Sequence, residues 1–290
     1  MLGPHVVGQR VVVRRIVRGE RGPSGGPALT DVLGVCTTWA DGVCVVEGPD
    51  GPVEIAIADI VSGKPVPPRP SVRHRVSPRD AELHSLTMWD DVPTRPLGEW
   101  VLRSRVTPVE IGRAGSVLAM GDPGVPLPAA AAEVVDHYTA LGWPAWAQVE
   151  VGSDVDLELV SLGWVPARPD EADSLFELVA LSRLQRALPD PGDITLELDH
   201  PRAVATIGSL ARARGAIDGD WLGLHDIWVS PEARRQGLAL RVMAELVDWG
   251  ASLGATTAYL QVRGDNGAAL ALYARLGFVT HHSYRYLKAL

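Results

Sequence analysis

The feature that most constrains this chain is a basic, glycine-containing turn between a strand-like and a helix-like stretch. The turn runs from Arg234 to Ala239, with the sequence Arg-Arg-Gln-Gly-Leu-Ala, and it follows the stretch 222–229. The first N–H groups of a helix have no partner within the helix and lie at the positive end of its dipole. Gly237 lets a ligand approach the backbone closely. The pattern therefore predicts a phosphate site at the start of a helix.

The sequence on either side of the turn predicts alternating strands and helices. Residues 222–229 suit a strand, with apolar side chains around the polar pair His225 and Asp226. After the turn, apolar residues recur at helical spacing. Residues 258–262 then predict a strand, and residues 266–277 predict a second helix. This order indicates a mixed α/β fold.

Three ordered motifs carry a resemblance to a known family. They are Val229-Ser230-Pro-x-x-Arg234-Arg235-Gln236-Gly237-Leu238-Ala239, Leu260-Gln261-Val262-Arg263-x-x-Asn266 and Ala271-Leu272-Tyr273-x-x-Leu276-Gly277-Phe278. Their order and spacing resemble the core of the GNAT N-acetyltransferases, which have an Arg/Gln-x-x-Gly-x-Gly/Ala motif. Arg234, Gly237 and Ala239 stand in the three defining places. The resemblance implies a GNAT fold and an acyltransferase that uses acetyl-CoA as acetyl donor.

The same resemblance implies which residues hold acetyl-CoA. Main-chain amides in the turn are expected to bind the pyrophosphate: those of Gln236, Gly237, Leu238 and Ala239. Amides of the preceding strand are expected to bind the pantetheine arm and the acetyl oxygen: those of Ile227, Trp228 and Val229. Arg234 and Arg235 either add positive charge to this site or are solvated surface arginines. Asn266 binds the cofactor, caps the helix that it begins, or does both.

Tyr273 is the candidate acid for the thiolate that leaves acetyl-CoA. It occupies the family's tyrosine position, and an unperturbed phenol with a pKa of about 10 is protonated at neutral pH. The alternative is a core tyrosine whose hydroxyl is satisfied by a neighbour.

The general base is less well defined by sequence. Relatives that acetylate protein N-termini often have Leu-Glu-Val-Arg where this chain has Leu260-Gln261-Val262-Arg263. Gln261 cannot take a proton, although it can orient a water molecule. His225 and Asp226 are the alternatives, and strand alternation predicts that only one of them faces the cleft. Asp226 is the preferred candidate, and no metal site is expected.

The first sixty residues have a different pattern from the rest. Short β-like runs alternate with turns rich in Gly, Pro and Asp, one of them at Pro49-Asp50-Gly51. The runs are 8–16, 30–37, 42–47 and 53–60. This pattern predicts a small, strongly bent β-barrel over residues 1–63, which resembles SH3-like barrels. Such barrels serve many functions, so the resemblance does not assign one.

Two further features accompany the predicted barrel. Its arginines form either a ligand-binding face or a charged, solvated strand edge: Arg10, Arg14, Arg15, Arg18 and Arg21. Residues 64–76, which are rich in Pro and Arg, predict a stiff linker.

An internal repeat divides the remainder of the chain. The stretches 134–142, 147–149 and 161–164 resemble 246–254, 260–262 and 275–278 in the same order. The first copy has Gly121-Asp122-Pro123-Gly124-Val125-Pro126 in place of the basic turn and Leu159 in place of Tyr273. We therefore predict a degenerate GNAT-like half at 77–190 and a catalytic half at 191–290.

Composition limits the classes of protein to which the chain can belong. With 290 residues, 46% hydrophobic and 21% charged, it can form more than one packed core. A net charge of −8 disfavours general nucleic-acid binding. The two cysteines, Cys36 and Cys44, are too few for a disulfide framework or a zinc site and are expected to be buried thiols. Without a signal-like or membrane-spanning segment, a cytoplasmic location and no membrane partner are expected.

The acceptor of the acetyl group is open between two enzyme hypotheses and one binding hypothesis. The layout of barrel, degenerate half and GNAT half resembles actinobacterial N-acetylglutamate synthase-like proteins, which implies the α-amine of glutamate and a role in amino-acid metabolism. The alternative enzyme acetylates an N-terminal or lysine amine of a polypeptide. The third hypothesis is an acetyl-CoA sensor without turnover.

Overall fold

A computed structural model describes residues 2–21, 25–48, 51–66, 72–89, 92–104 and 112–290. The chain divides into two compact units, Met1–Ser71 and Val72–Leu290. The division falls within the linker predicted at 64–76, of which residues 67–71 lie outside the described residues, as do Pro49 and Asp50 of the predicted turn.

The N-terminal unit is a five-stranded antiparallel sheet. Its strands are β1 (Arg10–Arg21), β2 (Pro27–Ala40), β3 (Val43–Gly48), β4 (Gly51–Ala56) and β5 (Ile60–Pro65). They pair in the order β4-β3-β2-β1-β5. Alternation in β1 buries Val11 and Val13 against the thiols of Cys36 and Cys44. Among the described residues no ladder joins β4 to β5, so closure into a barrel stays a prediction.

Side chains of this unit bear on two predictions. Cys36 and Cys44 are buried free thiols, as predicted, with their sulfur atoms 3.8 Å apart. Burial, helped by the neighbouring Cys36, raises the pKa of the Cys44 thiol to about 12, so it stays protonated. Strand β1, which carries these arginines, is not an edge strand as predicted, because it lies between β2 and β5; two of the arginines are ion-paired, Arg14 with Asp31 and Arg18 with Asp59.

The C-terminal unit is a mixed α/β structure, in agreement with the predicted fold class. Its helices are α1 (Pro78–Leu83), α2 (Leu127–Ala140), α3 (Asp154–Ser161), α4 (Leu181–Ala187), α5 (Leu238–Ser252) and α6 (Gly267–Leu276). Its first strands are β6 (Thr94–Leu97), β7 (Trp100–Arg103), β8 (Val117–Leu118), β9 (Trp146–Glu150), β10 (Val165–Pro166) and β11 (Ser174–Ala180). The others are β12 (Thr195–Asp199), β13 (Arg202–Ile207), β14 (Ala211–Asp218), β15 (Trp221–Val229), β16 (Thr257–Arg263) and β17 (Val279–Lys288).

These strands form one continuous sheet in which the two repeated halves exchange their last strands. The order is β12-β13-β14-β15-β16-β11-β17-β9-β8-β7-β6, with β10 beside β17. Strand β11, from the first half, pairs with β16 of the second half, while β17 of the second half pairs with β9 of the first. Each half therefore completes its sheet with a strand from the other.

The repeated halves also have the same order of elements. The unit α2-β9-α3 corresponds to α5-β16-α6, as the sequence repeat predicts. A core cluster packs α5 against β14 to β16, and a second cluster packs α2 against β7 to β9. No helix in the described ranges is long and apolar enough to cross a membrane.

Candidate active site

The central strands of the second half separate and leave a cleft. Strands β15 and β16 pair in parallel only over Trp221–Gly223 and Thr257–Tyr259. Beyond that point a cavity of about 630 Å³ is lined by residues 224–227, residues 260–263 and one side of α6. A cleft between unpaired parallel strands can admit an extended ligand to the middle of the sheet.

A β-bulge shapes one wall of this cleft. The register of β14 with β15 shifts between Arg212 and Arg214, and Asp226 has the left-handed φ of +47°. Both His225 and Asp226 border the cavity. This differs from the prediction that only one would do so, because the bulge interrupts the alternation of side chains on which that prediction relied.

The two bulge residues differ in their chemistry. The Asp226 carboxylate is held by Arg212 at 2.9 and 3.1 Å and lies 3.4 Å from Arg214. Burial, followed by the charges of Arg113 and Arg214, lowers the pKa of His225 to about 4. Asp226 is therefore an ion-paired carboxylate, and His225 is a neutral imidazole at pH 7.

The predicted phosphate turn lies between β15 and α5. Gly237, the residue before α5, has φ +79°, and no side chain caps the helix, so its first N–H groups have no capping partner. Arg235 is also left-handed, with φ +61°, and both Arg234 and Arg235 are exposed. A Cβ at Gly237 would meet no heavy atom within 4 Å, so the space in front of the helix is open. These features fit a bound pyrophosphate.

The other predicted cofactor residues lie along β15 and in the first turn of α5. Ile227 borders the cleft, and Trp228 and Val229 lead from it towards the turn. Leu238 and Ala239 are the first residues of α5, and Gln236 precedes them. Their binding roles remain predictions.

Helix α6 forms the opposite wall of the cleft. Asn266 is its N-cap, and its side-chain oxygen accepts a hydrogen bond from the Ala269 N–H at 3.2 Å. Tyr273 borders the cavity and is 9% exposed. Burial, followed by the nearby Glu177 carboxylate, raises the pKa of Tyr273, so its phenol is protonated at neutral pH. A protonated phenol in the cleft wall is a suitable donor to a leaving thiolate.

Gln261 connects the cleft to a buried carboxylate. It borders the cavity, and its Nε2 donates a hydrogen bond to Glu82 Oε2 at 2.7 Å. The Glu82 side chain, on α1, is fully buried, and its other oxygen lies 3.3 Å from His282 Nε2. Position 261, where relatives often have a glutamate, is a glutamine in this chain. It nevertheless has the carboxylate of Glu82 within hydrogen-bond distance. Among the described residues no group of three or more potential metal ligands occurs.

Comparison with known proteins agrees with this geometry. A family described as probable histone acetyltransferase Rv0428c C-terminal matches residues 181–287. Probable histone acetyltransferase Rv0428c of Mycobacterium tuberculosis is 30% identical to this chain over an alignment of 313 positions. The alignment covers 98% of this chain and 95% of that protein. The chain belongs to the GNAT N-acetyltransferase family. It is therefore an acyltransferase by family, and the GNAT fold implies acetyl-CoA as its donor.

Other GNAT relatives match a part of the chain or the fold alone. Ribosomal protein bS18 alanine N-acetyltransferase of Escherichia coli is 44% identical over 55 residues, which cover 19% of this chain and 37% of that protein. A solved GCN5-related N-acetyltransferase from Kribbella flavida superimposes with a TM-score of 0.56 at 18% identity. That superposition covers 76% of this chain and 96% of the other, so the fold is shared over most of both proteins.

Glu82 is the site residue of this GNAT protein that sequence reasoning missed. It lies 179 residues before Gln261 along the chain and outside the matched range 181–287. No sequence motif links a short helix to a strand at such a separation. The one available signal was the amide at position 261, which leaves a GNAT site without its usual carboxylate.

Proposed function

We propose that this protein transfers the acetyl group of acetyl-CoA directly to a primary amine of a polypeptide. The observation that carries the proposal is the cleft between β15 and β16, which has Tyr273 and Gln261 in its walls. The same strand β15 leads into the uncapped N-terminus of α5. A phosphate site and a proton donor thus lie at either end of one extended ligand path.

In this mechanism the chain binds, orients and moves protons. The N–H groups of 236–239 and the exposed Arg234 and Arg235 would hold the pyrophosphate. Acetyl-CoA supplies the thioester carbonyl that the neutral amine attacks. Tyr273 then gives its phenolic proton to the sulfur as the C–S bond breaks. Its raised pKa keeps that proton available at neutral pH.

A second cavity favours a positively charged acceptor. It has a volume of about 270 Å³, shares His225 with the cleft, and is lined by Trp89 and charged residues. Its arginines are already ion-paired, Arg202 with Asp199 at 3.2 Å and Arg214 with Asp226 at 3.4 Å. In the described part of the chain Glu197, which also lines this cavity, has no ion-pair partner. Arg212 and Arg214 share the single carboxylate of Asp226, so the charges around the cavity balance, and Glu197 is the carboxylate left to pair with a lysine or N-terminal ammonium group.

The glutamate acceptor expected from the resemblance is less well supported. Glutamate carries two carboxylates, which arginines without a partner would bind best. The relatives also favour a protein amine, because one is named a probable histone acetyltransferase and another acts on a ribosomal protein by its name. We therefore place the activity on polypeptides, and a cytoplasmic location is part of the same proposal.

Thiol release from acetyl-CoA tests this proposal against its alternatives. The acceptors would be a lysine-free peptide with a free N-terminus, an N-terminally blocked peptide with one lysine, and free glutamate. Turnover with either peptide and none with glutamate is the expected result. Turnover with glutamate alone would favour the amino-acid enzyme. Acetyl-CoA binding without turnover on any amine would favour the sensor.

A further inference from the structure

A chain of three titratable side chains runs from the cleft into the protein. Glu82 Oε2 accepts a hydrogen bond from Gln261 at 2.7 Å, and Glu82 Oε1 lies 3.3 Å from His282 Nε2. His282 Nδ1 lies 2.8 Å from His281 Nδ1. His281 Nε2 lies 2.9 Å from the carbonyl oxygen of Val76. Glu82 and His282 are buried, whereas His281 is only partly buried.

The hydrogen bonds of this chain fix how many protons it holds. A carbonyl oxygen only accepts, so the contact with Val76 requires a hydrogen on His281 Nε2. One further hydrogen lies between the two Nδ1 atoms. With these two hydrogens both rings are neutral, and the bare Nε2 of His282 faces the ionised carboxylate of Glu82. A third hydrogen, carried by either partner, completes the last hydrogen bond and makes the chain electrically neutral.

The chain is therefore built to take up one proton. Without it, a buried carboxylate faces a lone pair and the local charge is −1. With it, every contact is a hydrogen bond and the local charge is zero. Burial of an unpaired charge is costly, whereas a neutral, fully bonded cluster is not.

Charged and titratable groups surround the Glu82 carboxylate. The guanidinium groups of Arg103 and Arg113 interact electrostatically with the Glu82 carboxylate. The other groups in its field are the phenols of Tyr259, Tyr284 and Tyr286, and burial is the first cause that raises the pKa of each. These tyrosines are therefore neutral at pH 7. In the described ranges the charged neighbours of Glu82 in this field are therefore two cations, Arg103 and Arg113.

Gln261 connects this chain to the place where acetyl transfer would occur. It lines the cleft, and its Oε1 is buried without a hydrogen-bond partner among the described residues. The contact with Glu82 turns the amide so that Nε2 faces the carboxylate. Oε1 is then left without a donor, and a water molecule that enters from the cleft would supply one.

We propose that Glu82 accepts, through water that Gln261 positions, the proton that the acceptor ammonium must lose before it attacks. His281 and His282 then share this proton. The inference rests on the proposed N-acetyltransferase function. The ammonium gives one proton to the Glu82 chain, the neutral nitrogen forms the C–N bond, and the C–S bond breaks. The thiolate takes the proton of Tyr273, which regains one from the nitrogen.

Glu82→Gln tests the proposal with little effect on folding. A glutamine at position 82 can accept from Gln261 and donate to His282 Nε2, so every contact of the chain is kept. The variant therefore imitates the protonated state and cannot take a further proton. We expect kcat/KM for the peptide amine at pH 7 to fall about a hundredfold, with KM for acetyl-CoA unchanged. Its pH profile should follow the ionisation of the acceptor amine and lose the limb that reports the Glu82 chain.

Two variants separate proton transfer from a merely structural role. Glu82→Gln combined with Gln261→Glu exchanges the carboxylate and the amide while the hydrogen bond between them remains. It should recover at least about a tenth of the lost rate, and a folded double variant as slow as Glu82→Gln would overturn the proposal. Asp156→Asn, at a buried carboxylate of α3 that pairs with Arg285, should keep the wild-type pH profile. An unchanged profile in Glu82→Gln would also overturn it.

A measurement without turnover keeps this inference distinct from the proposed function. The ring nitrogens of His282 can be followed by ¹⁵N NMR from pH 5.5 to 9.5. The wild type should gain a proton on the histidine pair or on Glu82 in this range, and Glu82→Gln should show no such step. If the wild type acetylates no amine, the proposed function fails. If the wild type shows no step, the Glu82 proposal fails whatever the activity.

Discussion

Gln148 and Gln261 occupy the same place in the two repeated halves but bind opposite charges. Each lies on the strand that follows the long helix of its half, β9 or β16. Gln148 Oε1 accepts a hydrogen bond from the buried guanidinium of Arg103 at 2.9 Å. Gln261 Nε2 donates one to the buried carboxylate of Glu82 at 2.7 Å. An amide can do either, so one residue type supports a closed core in one half and a reactive cleft in the other.

The cavity of the first half is smaller than the cleft of the second half. The cavity beside β8 and β9 has a volume of only about 200 Å³, against about 630 Å³ between β15 and β16. The start of α1, at 77–80, lines the smaller one. The turn before α2 contains a carboxylate, Asp122, whose Oδ1 accepts a hydrogen bond from the Gly124 N–H at 2.8 Å. The first half therefore keeps the order of elements of the second half, with a smaller cavity and with a carboxylate in place of the basic turn.

The largest expected effect contrasts the two glycine turns. Gly237→Glu places a carboxylate at the N-terminus of α5, and we expect acetyl-CoA affinity to fall at least about a hundredfold. Gly124→Glu is a matched control, because both glycines are exposed and left-handed, with φ of +79° and +73°. It should change the affinity less than about twofold. Titration calorimetry measures both, and an equal loss in the two variants would contradict the assignment of the site to the second half.

A tyrosine of each half provides the second test. Tyr273→Phe should lower kcat about a hundredfold with acetyl-CoA affinity unchanged, because it removes the proton donor and keeps the ring. Tyr138→Phe removes a buried hydroxyl that bonds to the main chain of Arg103. It should cost about 1 kcal/mol of stability and leave kcat unchanged. Near-wild-type kcat in a folded Tyr273→Phe protein would make Tyr273 a packing residue.

The pH dependence of stability tests the environment of His225. The pKa of His225 is about 4 in the folded protein, whereas the ordinary pKa of a histidine is 6.5. The unfolded chain therefore binds a proton as the pH falls below 6.5 while the folded protein does not, so this stability is present above that pH and is lost towards pH 4. Between pH 7 and pH 5 the wild type should lose about 2 kcal/mol more than His225→Gln. Urea unfolding at both pH values measures this, and equal losses would show that His225 is hydrated.

The smallest effects concern the paired glutamines. Gln148→Leu and Gln261→Leu should each lower the free energy of unfolding by about 1–2 kcal/mol, since each leaves a buried charged group short of a partner. Only Gln261→Leu should also reduce turnover of the peptide amine. Stability and kcat/KM measured on the two variants would test this. A comparable loss of turnover in Gln148→Leu would mean that the first half takes part in catalysis.

Local sequence signals predicted the local structure of the second half. The basic turn precedes α5 and the Asp-Asn-Gly stretch begins α6, where Asn266 acts as the expected N-cap. In the N-terminal unit the prediction gave one run at 53–60 and a linker from residue 64. The structure instead ends β4 at Ala56 and continues β5 from Ile60 to Pro65. The bulge at Asp226 was missed because an alternating pattern does not reveal an inserted residue.

What the sequence determined by itself was the family, the α/β repeat and the positions of the basic turn and of the α6 N-cap. These depend on short-range spacing, which a helix or strand converts directly into a shared face. Only the tertiary structure decided that β11 and β17 are exchanged between the halves and that Glu82 lies beside Gln261. Strand partners and buried ion clusters join residues that are distant along the chain. The free energy that selects them arises from the packing and desolvation of the whole sheet, which no local pattern contains.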